Sequence, residues 1–229
     1  MPSKEFYVNR WRQSGLPAKY WDKRLEDYVP VHASGRVAQS IASDFVSNFR
    51  EHYLSEERKE SGALPDNREN LGKGLMLHGR NGTRKSTLAA AILTEIQYAA
   101  PAWRGYYIRF SEYMKRLTST FDREPTEYGI ESKKILRIME LVPILVIDDI
   151  GQEHRSGSGF TESTLHEFLR MRYDACRPTI VTTNISPKQM ASIYTESFDS
   201  FRHDAFITRE LLGRDARKIG IEENANRDS

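Results

Sequence analysis

Cysteine is almost absent from the chain: Cys176 stands alone among 229 residues. A single thiol excludes an internal disulfide framework and suits a reducing compartment, where such a residue serves as a small core side chain. Excess charge of one sign is also lacking, since Lys+Arg 34 against Asp+Glu 32 leaves a net charge of +2. Any polyanion must then be met by local clusters, because there is no global field to attract it. Long hydrophobic runs are missing. The longest strongly apolar stretch, LVPILVI at 141–147, falls far short of the roughly 20 residues that cross a bilayer, and the opening MPSKEFYVNRWRQSG holds no apolar signal core. The six histidines fall at no metal-ligand spacing, so no structural zinc is expected. These absences lead to the expectation of a soluble, cytoplasmic protein with no membrane contact.

What is present is enough hydrophobic residue, 38%, to build one large domain or one domain with a small appendage. Residues 1–30 are basic and aromatic (Tyr7, Trp11, Arg12, Tyr20, Trp21, Arg24, Tyr28) and are broken by SGLP. They read as an irregular arm followed by a short helix, either a nucleic-acid surface or a segment packed on its own domain. Apolar residues at 37, 41, 45, 46, 49 and 53 predict a helix with one buried face. A polar connector, SEERKESGALPDNREN, follows. Beyond it the period changes. Strand-like GLMLHG, RGYYIRF, PILVIDDIG and PTIVTTN alternate with helix-like TLAAAILTEIQYA, SEYMKRLTSTF (with Ser111 as its cap), ESKKILRIMEL and TESTLHEFLRMRYDA. Strands alternating with helices imply right-handed crossovers and a layered α/β fold around a parallel sheet.

The chemistry concentrates at strand ends. HGRNGTRKST at 78–87 matches a phosphate loop, with Gly79, Gly82, Lys85 and Ser86 at the required spacing, except that Arg84 occupies the place of the glycine before lysine. Set between a strand and a helix, the loop would aim backbone N–H groups at a β-phosphate, Lys85 would reach the β- and γ-phosphates, and Ser86 would bind magnesium. The alternative is an ordinary strand-to-helix turn. Arg84 threatens to crowd the backbone; at the first turn of a helix it can adopt right-handed dihedrals and point outward, or add a phosphate contact. ILVIDDIG ends a buried strand on two carboxylates, where open α/β sheets bind ligands. Asp148 suits the magnesium and Asp149 a general base for water; alone, such a pair is often a solvated edge. Asn184 ends PTIVTTN, either positioning that water or serving as a turn residue. Arg202, Arg209, Arg214, Arg217 and Arg227 crowd the tail. Most read as solvated, with one a candidate to enter a neighbouring subunit's site.

In this order the motifs resemble the AAA+ ATPases of the DnaC and IstB type, bacterial and phage helicase loaders and the ATPase partners of transposases. The resemblance runs over roughly residues 10–227. RQSGLPAKYWDKRLEDY is similar to the family's lead-in, HGRNGTRKSTLAAAI to its Walker A segment, ILVIDDIGQE to its Walker B with Asp-Asp, and RYDACRPTIVTTNIS to its sensor segment. It implies a three-layer P-loop NTPase fold with a central parallel sheet: an arm at 1–30, an ATPase domain at 31–229, a helical insertion at about 111–140 and a short helical and strand extension at about 186–229. ATP or ADP with magnesium would be held by Gly79, Arg80, Asn81, Gly82, Thr83, Arg84, Lys85, Ser86 and Thr87, with Asn184 as sensor 1. AFITRELLG looks like the family's box VII, making Arg209 the candidate arginine finger, and KIGIEENANR resembles its last strand and terminal arginine, Arg227. Two departures stand out: Arg84 replaces the Walker A glycine, and Glu223 stands where the family often has glycine. The resemblance further implies a slow ATPase acting as an assembly and release switch in DNA replication. It would work as an oligomer through its ATP sites, with a hexameric replicative helicase as partner. Single-stranded DNA would lie on the insertion, where Lys115, Arg116, Arg123, Lys133, Lys134 and Arg137 either meet phosphates or form a solvated pair of helices. Other readings are an IstB-like regulator of transposition on duplex DNA and a non-hydrolysing module that binds a host replication protein.

Overall fold

The computed structural model describes residues 2–54, 71–122, 124, 126–151, 160–194 and 196–217. The polar connector at 55–70, Arg123, and the tail carrying KIGIEENANR with Arg227 lie outside the described residues.

Five strands form one parallel sheet: β1 (Gly74–His78), β2 (Gly105–Arg109), β3 (Ile144–Ile150), β4 (Thr179–Thr183) and β5 (Phe206–Glu210). Their order is β2-β3-β4-β1-β5. Every pairing is parallel, so each strand's carboxyl end opens on the same edge. β1, β3 and β4 are buried at nearly every position, which explains their near-continuous apolar sequences. Alternate residues feed two separate cores. Leu75, Leu77, Tyr107, Ile144, Val146 and Ile180 pack toward helices α1 (Lys4–Gln13), α2 (Ala33–Leu54) and α3 (Lys85–Ala99). Met76, Ile108, Leu145, Ile147 and Val181 pack toward α4 (Phe110–Thr118), α5 (Glu127–Leu141), α6 (Phe160–Asp174), α7 (Pro187–Ile193) and α8 (Glu196–Ala205). The result is three layers, helix on sheet on helix. The expected tail extension supplies α7, α8 and the edge strand β5.

Local differences from the sequence reading have local causes. The first 30 residues hold their helix before the irregular stretch. Ser3 caps α1 by accepting from Phe6 N, Glu5 sits in its first turn and Arg10 and Arg12 in its last, while Gly15 at φ 70 ends it. Tyr7 and Trp11 are buried in the same core as α3, so this segment packs on the domain. In α2 the buried stripe runs through Ala38, Ala42, Phe45, Val46 and Phe49, and Val37, expected in it, is 56% exposed. Small alanines let the helix approach α3 closely; apolarity alone does not show that. Ser111 is not the cap of its helix. Arg109 takes that position without a side-chain bond, and α4 starts at Phe110, whose ring is fully buried.

Arg172 stitches the ends of the amino edge together. Its buried guanidinium donates to Thr179 Oγ1 and to the carbonyls of Met139, Val142 and Pro178, joining α5, α6 and the entry to β4. A charge so deep is tolerated because its N–H groups face carbonyl oxygens. The sequence shows it only as the Arg-Tyr that opens the sensor segment.

Candidate functional site

β1 lies between β4 and the edge strand β5, and the connections leaving β1 and β4 run in opposite directions along the sheet, so the loop after β1 opens beside the ends of β4 and β3. Here a cleft of about 780 Å³ is lined by Asn81, Gly82, Arg84, Lys85, Ser86 and Thr87 from the loop and α3, and by Asp148, Asp149 and Asn184 from the strand ends. Lys19, Tyr20, Arg109, Ser111, Ala216 and Arg217 complete its wall. The first turn of α3 has no side-chain cap bond. Its N–H groups are therefore left for an anion at the positive end of the helix.

The loop's shape follows from its glycines. Gly79 has φ 145 and Gly82 φ 77, and a Cβ would overlap the Leu211 carbonyl at the first and Asp215 at the second. The segment after β5 thus lies directly on the loop, fastened by Ala216 N donating to Gly82 O at 3.1 Å. Thr83 is buried and turns inward, donating to Arg80 O at 2.9 Å, so it shapes the loop and does not line the cleft. Gly79 and Arg80 also contribute backbone: Lys85 Nζ donates to their carbonyls at 2.7 and 2.9 Å. Its third bond, 2.8 Å long, goes to Asn184 Oδ1. Asn184 Nδ2 in turn donates to Asp149 Oδ1 at 2.9 Å, so one amide bridges the loop cation and the end of β3.

Arg84 does not take right-handed dihedrals. It sits at φ 66, ψ 25, in the left-handed region where the chain usually needs glycine, which is the reason glycine is expected there. Its guanidinium points along the cleft wall and donates to Val29 O at 3.0 Å, binding the loop to the segment before α2. Asp149 is left-handed as well, at φ 67, beside a break in register between Ile147 and Ile150. Its N–H is held by Thr182 Oγ1 at 2.9 Å. The bulge turns the second carboxylate into the cleft while the first stays buried.

Burial sets the charge states. It lowers Lys85 to about 8, against the opposing pull of Asp149 and Asp148. It raises Asp149 above its ordinary range, helped by the neighbouring Asp148 carboxylate. A polyanion beside Lys85 would favour its charged form, and Asp149, prone to gain a proton, is suited to act as a proton acceptor.

The other expected residues are placed unevenly. Arg209 is exposed on the edge strand β5, outside its own chain's cleft. Arg202 is buried and paired with Asp199 at 2.8 Å, so it is not among the solvated arginines of the tail. Arg217 stands at the cleft, paired with Asp215 at 2.7 Å. On the insertion, Arg116 is engaged by Glu112 at 2.8 Å and lies over the Tyr128 ring, as does Lys115, while Arg137 pairs with Glu140 at 2.6 Å. Lys133 and Lys134 are exposed. Tyr107, Thr182 and Arg109 escaped the sequence reading. Parallel pairing of β2 with β3 sets Arg109 beside Asp148 and Tyr107 on the same face of the sheet; this becomes visible only once strand order is known.

The fold is that of the AAA+ P-loop NTPases. By structure the chain is similar to the crystal structure of the DnaC helicase loader: 26% identity and TM-score 0.67, over 86% of this chain and 100% of that one. It shares its fold with the crystal structure of DnaI (22% identity, TM-score 0.63, 87% and 93% covered) and with AMPPCP-bound DnaA from Aquifex aeolicus (17%, 0.60, 92% and 56%). By sequence it is 28% identical over 131 residues to the replicative helicase loader DnaI of Bacillus subtilis (strain 168). That match covers 57% of this chain and 39% of DnaI, so the chain spans about two-fifths of that relative's length. No family model matches the sequence. In sequence and in structure, then, the chain resembles the DnaC-type AAA+ loaders. No described helix is long and apolar enough to cross a membrane.

Two measurements check this geometry. Arg84→Gly is expected to be more stable than Arg84→Ala by about 1 kcal/mol in urea unfolding, because both lose the bond to Val29 and only alanine keeps the left-handed strain; the reverse order would remove the strain. Lys85 is lowered in the folded chain to about 8 from 10.5, so between those values the unfolded chain holds the proton that the folded chain gives up. Wild-type stability should rise with pH across that window relative to Lys85→Met. Parallel pH profiles would contradict the shift.

Proposed function

We propose that the chain is a slow AAA+ ATPase that loads a hexameric replicative helicase onto single-stranded DNA during replication, using ATP binding and hydrolysis as an assembly and release switch. The observation that carries the reading is the uncapped amino end of α3, with Lys85, facing Asp148, Asp149 and Asn184 across one cleft. An ordinary strand-to-helix turn has no need of that convergence. The likeness to the DnaC and DnaI loaders supplies the biological setting.

In this reading the loop amides of residues 79–87 and Lys85 bind the phosphates of ATP or ADP; to do so, Lys85 exchanges the carbonyls of Gly79 and Arg80 for phosphate oxygens. The cleft also suits magnesium. The Ser86 hydroxyl and Asp148 carboxylate are hard oxygen donors lining the same space, and among the described residues no cluster of three His, Cys, Asp or Glu competes to form a closed cage. When bound, the ion neutralises charge on the phosphates. Asp149 accepts the proton of the attacking water, oriented by Asn184, and its raised proton affinity favours that role. Arg209, outside its own cleft, serves a neighbouring subunit of a homo-oligomer, and Arg227 of the tail completes the cofactor set. Lys133 and Lys134 lead the DNA-facing charges, with Lys115, Arg116 and Arg137 as the other described basic residues of the insertion and Arg123 as a further candidate. The compartment is the cytoplasm.

Asp149→Ala is expected to bind ATP as wild type does and to lose at least about tenfold in hydrolysis, read by phosphate release. Equal hydrolysis would take Asp149 out of the mechanism. Expressed in its host, the wild-type protein should co-purify with a replicative helicase; filaments on duplex DNA instead would move the assignment to transposition.

A further inference from the structure

Tyr107 is 2% exposed and sits in an apolar core beside Ile144, Val146 and Ile180, where a phenylalanine would fill the same space. Its hydroxyl donates to Asp148 Oδ2 at 2.6 Å. From the strand on the other side, Thr182 Oγ1 donates to Asp148 Oδ1, also at 2.6 Å. Each oxygen of the carboxylate is thus gripped by a neutral donor from a neighbouring strand, and the group is 5% exposed. Two such bonds fix the rotation of the carboxylate and supply hydrogen-bond partners to oxygens that burial removes from water. The same carboxylate raises the hydroxyl well above the ordinary tyrosine value, after burial itself.

Tyr107 is held in turn. Its N–H donates to Ser14 O at 2.7 Å, which closes the free edge of β2, and its ring lies 6.2 Å from that of Tyr20, a residue of the cleft wall. From this arrangement we infer that Tyr107 is a positioning residue for Asp148, setting the carboxylate for a divalent cation at the nucleotide cleft. The inference rests on the reading of the cleft as a nucleotide site. It assigns the hydroxyl a task that the ring's packing does not need, since core shape alone would be met equally by phenylalanine.

The test is Tyr107→Phe, which keeps the ring and removes the donor. Binding of the non-hydrolysable analogue AMPPCP is measured with EDTA and then across a magnesium titration, and folding is checked by urea unfolding. Affinity in EDTA should stay within about twofold of wild type, while the magnesium concentration giving half-maximal enhancement rises about tenfold, the usual scale for loss of a partner behind a metal ligand. Tyr107→Leu, which also removes the ring, should lose stability as well as magnesium response. An unchanged magnesium midpoint in a folded Tyr107→Phe protein would overturn the role of Tyr107, as would an equal loss of affinity with and without magnesium. If wild type binds no AMPPCP under either condition, the nucleotide reading itself fails and this inference falls with it.

Discussion

The arrangement depends on one buried cation. Lys85 Nζ sits at the head of α3 and spends its three donors on Gly79 O, Arg80 O and Asn184 Oδ1. Those bonds close the loop on itself and tie it to the end of β4. Through the Asn184 amide the tie continues to Asp149 at the end of β3. Three chain segments remote in sequence are thereby brought to a common point, around an ammonium whose charge is costly where it lies. A bound polyanion relieves that cost.

Of the four described non-glycine residues with left-handed backbone, Asp22, Arg84, Asp149 and Cys176, two flank the same point. Arg84 and Asp149 are both left-handed without being glycine, and both flank the cleft. Each is over-determined by neighbours: Arg84 by its guanidinium on Val29 O, Asp149 by Thr182 and Asn184. Conformations costing on the order of 1 kcal/mol or more persist only where surrounding bonds impose them. Arg84 keeps the backbone path that glycine would take and uses its side chain to fasten the loop to residues before α2.

Much of the fold was legible because its periods are clean. GLMLHG, PILVIDDIG and PTIVTTN are runs of apolar and β-branched residues up to their polar carboxyl ends, as strands buried on both faces tend to be, and the phosphate-loop spacing sets β1 before α3. Strand order was not readable, and with it went Tyr107, Thr182 and Arg109, whose proximity to Asp148 exists only across the sheet. Alanine-rich contact between α2 and α3 hid the true buried stripe behind Val37. On the insertion, two of the five described basic side chains, Arg116 and Arg137, are paired with glutamates on the same helices, information carried by i to i+3 and i+4 spacing and not by composition. The backbone of Arg84 lay outside what a sequence states, since an arginine before a helix is ordinarily right-handed.

In a nucleotide complex Lys85 would exchange the carbonyls of Gly79 and Arg80 for phosphate oxygens. Calorimetric titration of the wild-type chain and of Lys85→Ala with magnesium and ADP tests this most directly. The predicted result is saturable binding by wild type at one site per chain, with an affinity loss of at least about a hundredfold in Lys85→Ala. Equal binding by the two proteins, or none by wild type at millimolar ADP, would contradict it.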